Sequence, residues 1–118
     1  MARILLAEDD NSLRGFLTRA LERAGHEVVD CENGDDAIDA LDGVGFDLLL
    51  TDIVMPGADG IEVARVASAR FPGMKIMFIS GFAAVALTAA QASPQAKVLA
   101  KPVHLRDLVE EVDRMIAA

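Results

Sequence analysis

Five polar residues in this sequence are of the types that phosphoryl transfer requires: Glu8, Asp9, Asp52, Ser80 and Lys101. Three carboxylates gathered in one place repel one another and stay ionised only beside a compensating cation. An all-oxygen donor set selects a hard cation, and a half-open site that keeps water suits Mg2+. Lys101 brings a fixed positive charge that can pair with Asp52 at rest and with a phosphoryl oxygen afterwards. Ser80 offers a hydroxyl donor. Together they supply an oxygen nucleophile, a metal site, a cation and a hydrogen-bond donor. Singly, each has a plainer reading: Asp52 as a strand-ending turn cap, Lys101 as an exposed lysine, Asp10 as a solvated or helix-capping acid. Only their joint placement outweighs those readings.

That placement follows from the elements around them. Short apolar runs alternate with helical patterns along the whole chain. Strands are predicted at Arg3–Ala7, Glu27–Cys31, Phe46–Thr51, Lys75–Ile79 and Lys97–Ala100. Leu48-Leu49-Leu50 is the kind of run that a strand buried on both faces requires. Helices are predicted at about Ser12–Ala24, where Leu13, Phe16, Leu17, Ala20, Leu21 and Ala24 keep a 3.6-residue period, and in a short segment carrying Ala37, Ile38 and Leu41. Further helices are predicted at about Gly60–Ala69, Ala83–Ala92 and Leu105–Ala117. Asn11 and Asp35 are the expected caps of the first two helices, and Gly25 the expected end of the first. Five strands each followed by a helix imply an α/β fold with a parallel sheet between two helical layers. Right-handed crossovers and the flavodoxin-like (CheY-like) doubly wound order 2-1-3-4-5 then place the ligand crevice beyond the carboxyl ends of the first and third strands. All five candidate residues lie at that edge.

Composition narrows the classes further. The 118 residues suit one domain, 53% are hydrophobic, and the net charge is −8. The acidity disfavours nucleic acid and anionic membranes as partners, and without Trp or Tyr there are few stacking platforms for bases. A single cysteine, Cys31, excludes an internal disulfide and fits a reducing cytoplasm. No secretory signal is evident, and polar residues from Ser80 to Pro94 interrupt the longest uncharged stretch.

Several segments resemble the receiver domain of bacterial two-component response regulators. They are Ile4-Leu5-Leu6-Ala7-Glu8-Asp9-Asp10, Leu50-Thr51-Asp52-Ile53-Val54-Met55-Pro56-Gly57, Asp59-Gly60, Ile79-Ser80-Gly81 and Lys101-Pro102. The resemblance covers residues 1–118 as one domain. It implies that Asp52 is the phosphorylation site, that Asp9 and Asp52 bind Mg2+ directly and Glu8 through water, and that the Val54 carbonyl is the third protein ligand. It also implies that Lys101 contacts the phosphoryl group, that Ser80 turns towards it, and that the bond before Pro102 is cis. Such a protein is a phosphoacceptor, phosphorylated by a histidine kinase or histidine phosphotransferase. It catalyses its own phosphoryl transfer and dephosphorylation and is not a turnover enzyme.

Because the sequence stops at Ala118, soon after the fifth helical pattern, a stand-alone regulator acting on another protein is expected. Gly81–Leu87, Lys101–Leu105 and Ile116-Ala117-Ala118 are similar to the CpdR subgroup, which implies an adaptor controlling substrate delivery to the ClpXP protease and a ClpX-type unfoldase as partner. One departure from the family is Val98, where an aromatic three residues before the lysine is usual, so the ring movement normally coupled to the hydroxyl has no counterpart. Ser80 stands for the commoner threonine. The Ala83–Ala92 segment carries no charge: either it is an Ala-rich helix lying on the sheet, or an apolar docking face with partner contacts at Phe82, Val85, Leu87 and Val103. A phosphate sink without output remains the alternative to a switch. A magnesium phosphatase would need an acid at Val54, and neither glycine-rich nucleotide motif is present.

Overall fold

A computed structural model of the chain describes residues 1–43 and 45–118. The elements in order are β1 (Arg3–Ala7), α1 (Asn11–Arg23), β2 (Glu27–Cys31), α2 (Gly34–Ala40), β3 (Leu48–Asp52), α3 (Gly60–Arg70), β4 (Lys75–Ser80), α4 (Ala83–Ala92), β5 (Lys97–Ala100) and α5 (Leu105–Ala117). The strands form one sheet in the order 2-1-3-4-5, every pair parallel, as the alternation of patterns predicts.

The sheet is buried on both faces because successive side chains of its strands point to opposite sides. Leu5, Ala7, Leu49, Ile76 and Phe78 face one core, closed by Ala37 of α2 and Leu41 just after it, Val63, Ala64 and Ala67 of α3, and Ala89 of α4. Ile4, Leu6, Leu48, Leu50, Met77 and Ile79 face the other, closed by Leu17 and Leu21 of α1 and Leu108 and Val112 of α5. Leu48, Leu49 and Leu50 are all fully buried. Each contributes roughly 2 kcal/mol of transfer free energy, so the middle of β3 is strongly anchored. Its carboxyl end therefore holds whatever it carries on a rigid base.

Several boundaries differ from the sequence reading. Asp10, not Asn11, caps α1: its Oδ1 accepts the Leu13 N–H at 3.0 Å. Asn33, not Asp35, caps α2 by accepting the Asp36 N–H at 2.8 Å. In both, a side chain one or two positions earlier has the extended backbone and the three-residue reach that a cap needs. Asp35 instead accepts the Ala58 N–H at 3.2 Å and so ties α2 to the loop after β3. β3 begins at Leu48 rather than Phe46, since the Asp47 side chain accepts the Arg3 N–H at 2.8 Å at the strand's entrance. β3 and β4 each run one residue further than expected, through Asp52 and Ser80, and α3 runs to Arg70. Gly25, at φ 96°, follows the end of α1 in the left-handed conformation.

Candidate functional site

Parallel strands expose their last backbone groups at a common edge, and this is where the acidic residues lie. The Glu8 N–H donates to the Cys31 carbonyl at 3.0 Å, and the Glu8 carbonyl accepts Arg14 Nη1 at 2.8 Å. The residue after β1 is thus fixed from both sides. Its side chain turns inward and is fully buried. Oε2 accepts the Asp10 N–H at 3.1 Å. Oε1 lies 3.2 Å from Lys101 Nζ but off the hydrogen-bonding direction, so this buried oxygen has a neighbouring charge and no hydrogen-bond donor. Burial pushes the Glu8 carboxyl up to about 7, with the Asp52 charge adding to the rise and the Asp10 N–H and Lys101 opposing it.

Asp52 is the last residue of β3 and is 6% exposed. Its Oδ1 accepts the Ile53 N–H at 2.7 Å, and its Oδ2 accepts from Lys101 Nζ at 2.9 Å. Thr51 Oγ1 donates to the Asp52 carbonyl at 2.7 Å, which fixes the backbone from which the carboxylate projects. Lys101 reaches across from the loop after β5, and the peptide bond that follows it, to Pro102, is cis. Burial alone would lower the Lys101 ammonium; the Asp52 and Glu8 carboxylates outweigh it and hold it above its ordinary value. Asp9 stays exposed at the rim.

One carboxylate oxygen from each of Glu8, Asp9 and Asp52 lies within 4.8 Å of the others. With all three carboxylates ionised, one ammonium leaves two negative charges, the charge a divalent cation neutralises. The donors are oxygens only, and a buried Glu8 oxygen lacks a hydrogen-bond donor; both fit a hard cation such as Mg2+. A cavity of about 530 Å3 lies at the other end of β4, beside Arg65, Lys75 and Ala92, and shares no residue with this cluster. The site is a polar notch in which Glu8 and Asp52 are buried and Asp9 is exposed.

The remaining candidates are placed differently. Val54 follows in the bend after β3 with its side chain half in solvent, at 51% exposure. Ser80 is buried at the end of β4, and its hydroxyl is engaged with the backbone of Phe82 rather than with Asp52. Phe82 and Leu87 are exposed, at 63% and 61%. Val85 and Val103 are half-buried, packed against opposite cores. The Cys31 thiol is pushed up to about 11 by burial, then by Asp36 and Asp30, against a smaller pull from Arg14, and is inert at neutral pH.

Sequence reasoning placed Gly60 in the Asp59-Gly60 segment and at a helix start, but missed what it and Gly34 touch. A Cβ on Gly60 would stand 2.1 Å from the Asp52 carbonyl oxygen, and one on Gly34 would stand 1.8 Å from that of Ala58. Both glycines let a helix start press directly on the backbone around the acidic notch. The trace of these contacts in the sequence is a glycine at a helix start, where a side chain would ordinarily be preferred.

Comparison with known proteins agrees with this geometry. The family described as "Response regulator receiver domain" matches residues 4–113. The response regulator receiver protein CpdR of Brucella abortus is 58% identical over 119 residues, covering 100% of this chain and 99% of that protein. Among solved structures, a response regulator receiver protein from Sinorhizobium medicae is 36% identical with a TM-score of 0.91, covering 98% of this chain and 94% of that one. The response regulator TrrA from Thermotoga maritima, in complex with Mg(2+)-BeF, is 28% identical with a TM-score of 0.86, covering 98% of this chain and 99% of that one.

Proposed function

The chain belongs to the response regulator receiver domain family, and on that premise we propose that it is a phosphorylation switch with Asp52 as its phosphoacceptor. The single observation carrying this reading is the Asp52 carboxylate, held at one oxygen by a backbone N–H and at the other by Lys101, beside two further carboxylates. A carboxylate oxygen of Asp52 attacks the phosphorus of a phosphohistidine on a histidine kinase or phosphotransferase. The new O–P bond forms as the P–N bond breaks, and the electron pair leaves on the imidazole nitrogen, which takes up a proton. Asp9 and Asp52, with Glu8 behind them and the Val54 carbonyl as a further oxygen, would hold Mg2+. When bound, the ion supplies charge neutralisation for the phosphoryl oxygens. Lys101 follows the charge from the carboxylate to the phosphoryl group. The Ser80 hydroxyl is the donor that must turn.

Switching needs differential contacts. A thousandfold shift between two conformations requires about 4 kcal/mol. A hydrogen bond from Ser80 to the phosphoryl group and a Lys101 ion pair are each on the scale of roughly 1.5–3 kcal/mol, and what counts is their excess over the resting Lys101–Asp52 and Ser80–Phe82 contacts.

The Glu8 carboxyl makes cation binding pH-dependent. Its value of about 7 in the metal-free fold lies above the ordinary 4.5, so the fold holds this proton more tightly than the unfolded chain does. Stability from this group is therefore fully present below about 4.5 and is lost as pH rises through 7, where the ionised carboxylate needs a cation. Mg2+ affinity, measured by titration calorimetry, is expected to be about tenfold weaker at pH 6 than at pH 8. An affinity independent of pH across that range would exclude Glu8 from the cation's charge balance.

For output, the subgroup resemblance supports an adaptor that engages a ClpX-type unfoldase of the ClpXP protease. We assign the contact to the exposed apolar side chains Phe82 and Leu87, flanked by Val85 and Val103. Val85 packs on the core, so a charge there would also disturb the fold; Leu87 is the cleaner test. Leu87→Asp is expected to weaken capture by purified ClpX at least about tenfold, the scale of a truncated interface anchor. Its labelling by a small acyl phosphate should stay at the wild-type level. Undiminished capture would move the contact elsewhere.

A further inference from the structure

The cavity of about 530 Å3 at the amino-terminal end of β4 has the size of a small-molecule pocket. The sequence around it leaves space rather than fills it. Ile61, Arg65 and Ser68 stand at steps of four and three residues, so they form one stripe along α3. On the other wall, α4 ends in Ala92 and the loop that follows passes through Ala96, side chains too short to close the gap. Met74 and Ile76, both buried, supply apolar wall, and Met115 of α5 adds to it.

The charge of this cavity runs against that of the chain. The protein carries 19 acidic residues and a net charge of −8, yet no acid lines the cavity. Two cations do: Arg65 from α3 and Lys75 from the first position of β4. Among the described residues neither has a carboxylate within ion-pairing distance, whereas Arg3, Arg14, Arg70, Lys97, Lys101 and Arg114 each have one. Solvation accounts for Arg65, which is exposed, taken alone. It does not account for Lys75, half-buried with no carboxylate beside it. The Lys75 backbone is fixed, its N–H donating to the Asp47 carbonyl at 3.0 Å. Ser68 and Gln95 add neutral hydrogen-bond donors. Unanswered cations, neutral donors and apolar walls in one pocket select an anion with an apolar body.

We propose that this cavity binds a small organic anion, an acidic group on an apolar body, with Arg65 and Lys75 answering its charge and Ile61, Met74 and Met115 covering its body. A bound anion bridges α3 and the end of α4, the helix that carries the exposed Leu87. The site shares no residue with Glu8, Asp9, Asp52, Ser80 or Lys101, so it stands whether or not Asp52 accepts a phosphoryl group.

Fluorescence titration of the full chain with anilinonaphthalene sulfonate, an aromatic anion, tests this. Saturable binding with a dissociation constant on the order of 10–100 µM is expected, ordinary for a ligand of its size. Phenylnaphthylamine, the same rings without the sulfonate, is the neutral control. Arg65→Gln and Lys75→Gln should each weaken the sulfonate about fivefold, the scale of one partly solvated charged contact, and leave the neutral dye unchanged. Loss of fold cannot imitate that result, because loosened chains bind this probe more strongly. Leu87→Asp and Asp52→Ala should bind the sulfonate like wild type. No saturable binding, sulfonate affinity that survives both charge substitutions, or an equal fall for both dyes would each overturn the proposal. A loss of binding in Leu87→Asp would overturn it too, by placing the dye on the exposed apolar side chains of α4.

Discussion

Asp52→Ala is expected to take up no label from a small acyl phosphate in the presence of Mg2+, under conditions that label the wild type. The loss should be on the order of a thousandfold or more, the scale reached when an enzyme's nucleophile is removed. The reason is local. Asp9 is exposed at the rim, Glu8 is buried with its carboxyl pushed up to about 7, and neither presents the ionised oxygen that Lys101 holds at 2.9 Å. The fold should survive, because the substitution also removes one of three mutually repelling carboxylates. Glu8 then becomes the remaining partner of Lys101, and its carboxyl should fall from about 7 once the Asp52 charge is gone. Intact-mass spectrometry after incubation with the phosphodonor reads the result. A variant that still gains a phosphoryl group would place the acceptor on another residue and end the reading of this notch.

Gly60→Ala is the second. Helix propensity alone favours the change, since Ala is better than Gly by about 1 kcal/mol in a helix. The structure reverses the sign. The new Cβ would stand 2.1 Å from the Asp52 carbonyl oxygen and 2.9 Å from Ile53 Cα, and both are backbone atoms with nowhere to go. Either α3 lifts off the sheet or the end of β3 moves, and the second displaces Asp52 itself. Overpacking of this kind costs roughly 1–3 kcal/mol, occasionally more. A net loss near 2 kcal/mol lowers the melting temperature of a 118-residue chain by about 8 °C. Circular dichroism is the probe, because the chain has no Trp or Tyr to report by fluorescence. Gly15→Ala is the control: its Cβ would meet only the flexible end of Arg19, at 3.3 Å, and a slight gain in stability is expected. Equal stability of the two variants would show that α3 can shift without cost. Unchanged labelling of Gly60→Ala would show that Asp52 does not depend on that contact.

The two residues mark how far the chain could be read from its letters. Asp52 was legible because its surroundings are: a leucine run ends in an acid, two more acids follow the first apolar run, and a lysine follows the last. Gly60 was legible as a helix start and as part of the Asp59-Gly60 segment; Asp59 proves to be a cap, its Oδ1 accepting the Glu62 N–H at 2.8 Å. Its contact with Asp52 joins two elements across a loop, and no periodicity encodes that distance. The same holds for Ser80. Its type and position are plain in the sequence, yet its engagement with Phe82 is a matter of rotamer and loop path. The α1 and α2 caps were misplaced for a related reason. Several neighbouring residues have suitable side chains, and the turn of the incoming chain selects among them.

The sequence by itself determined the five strands and five helices, their parallel order, and the gathering of Glu8, Asp9, Asp52 and Lys101 at one edge. These follow from apolar period and from chain connectivity, which are properties of neighbours along the chain. Only the tertiary structure decided that Glu8 is fully buried, that Lys101 bridges Glu8 and Asp52, that Gly60 presses on the Asp52 carbonyl, and that Val85 turns inward while Leu87 does not. Those outcomes depend on how closely two layers of helices settle on the sheet. Ångström-scale contact between residues far apart in sequence is set by packing, not by pattern.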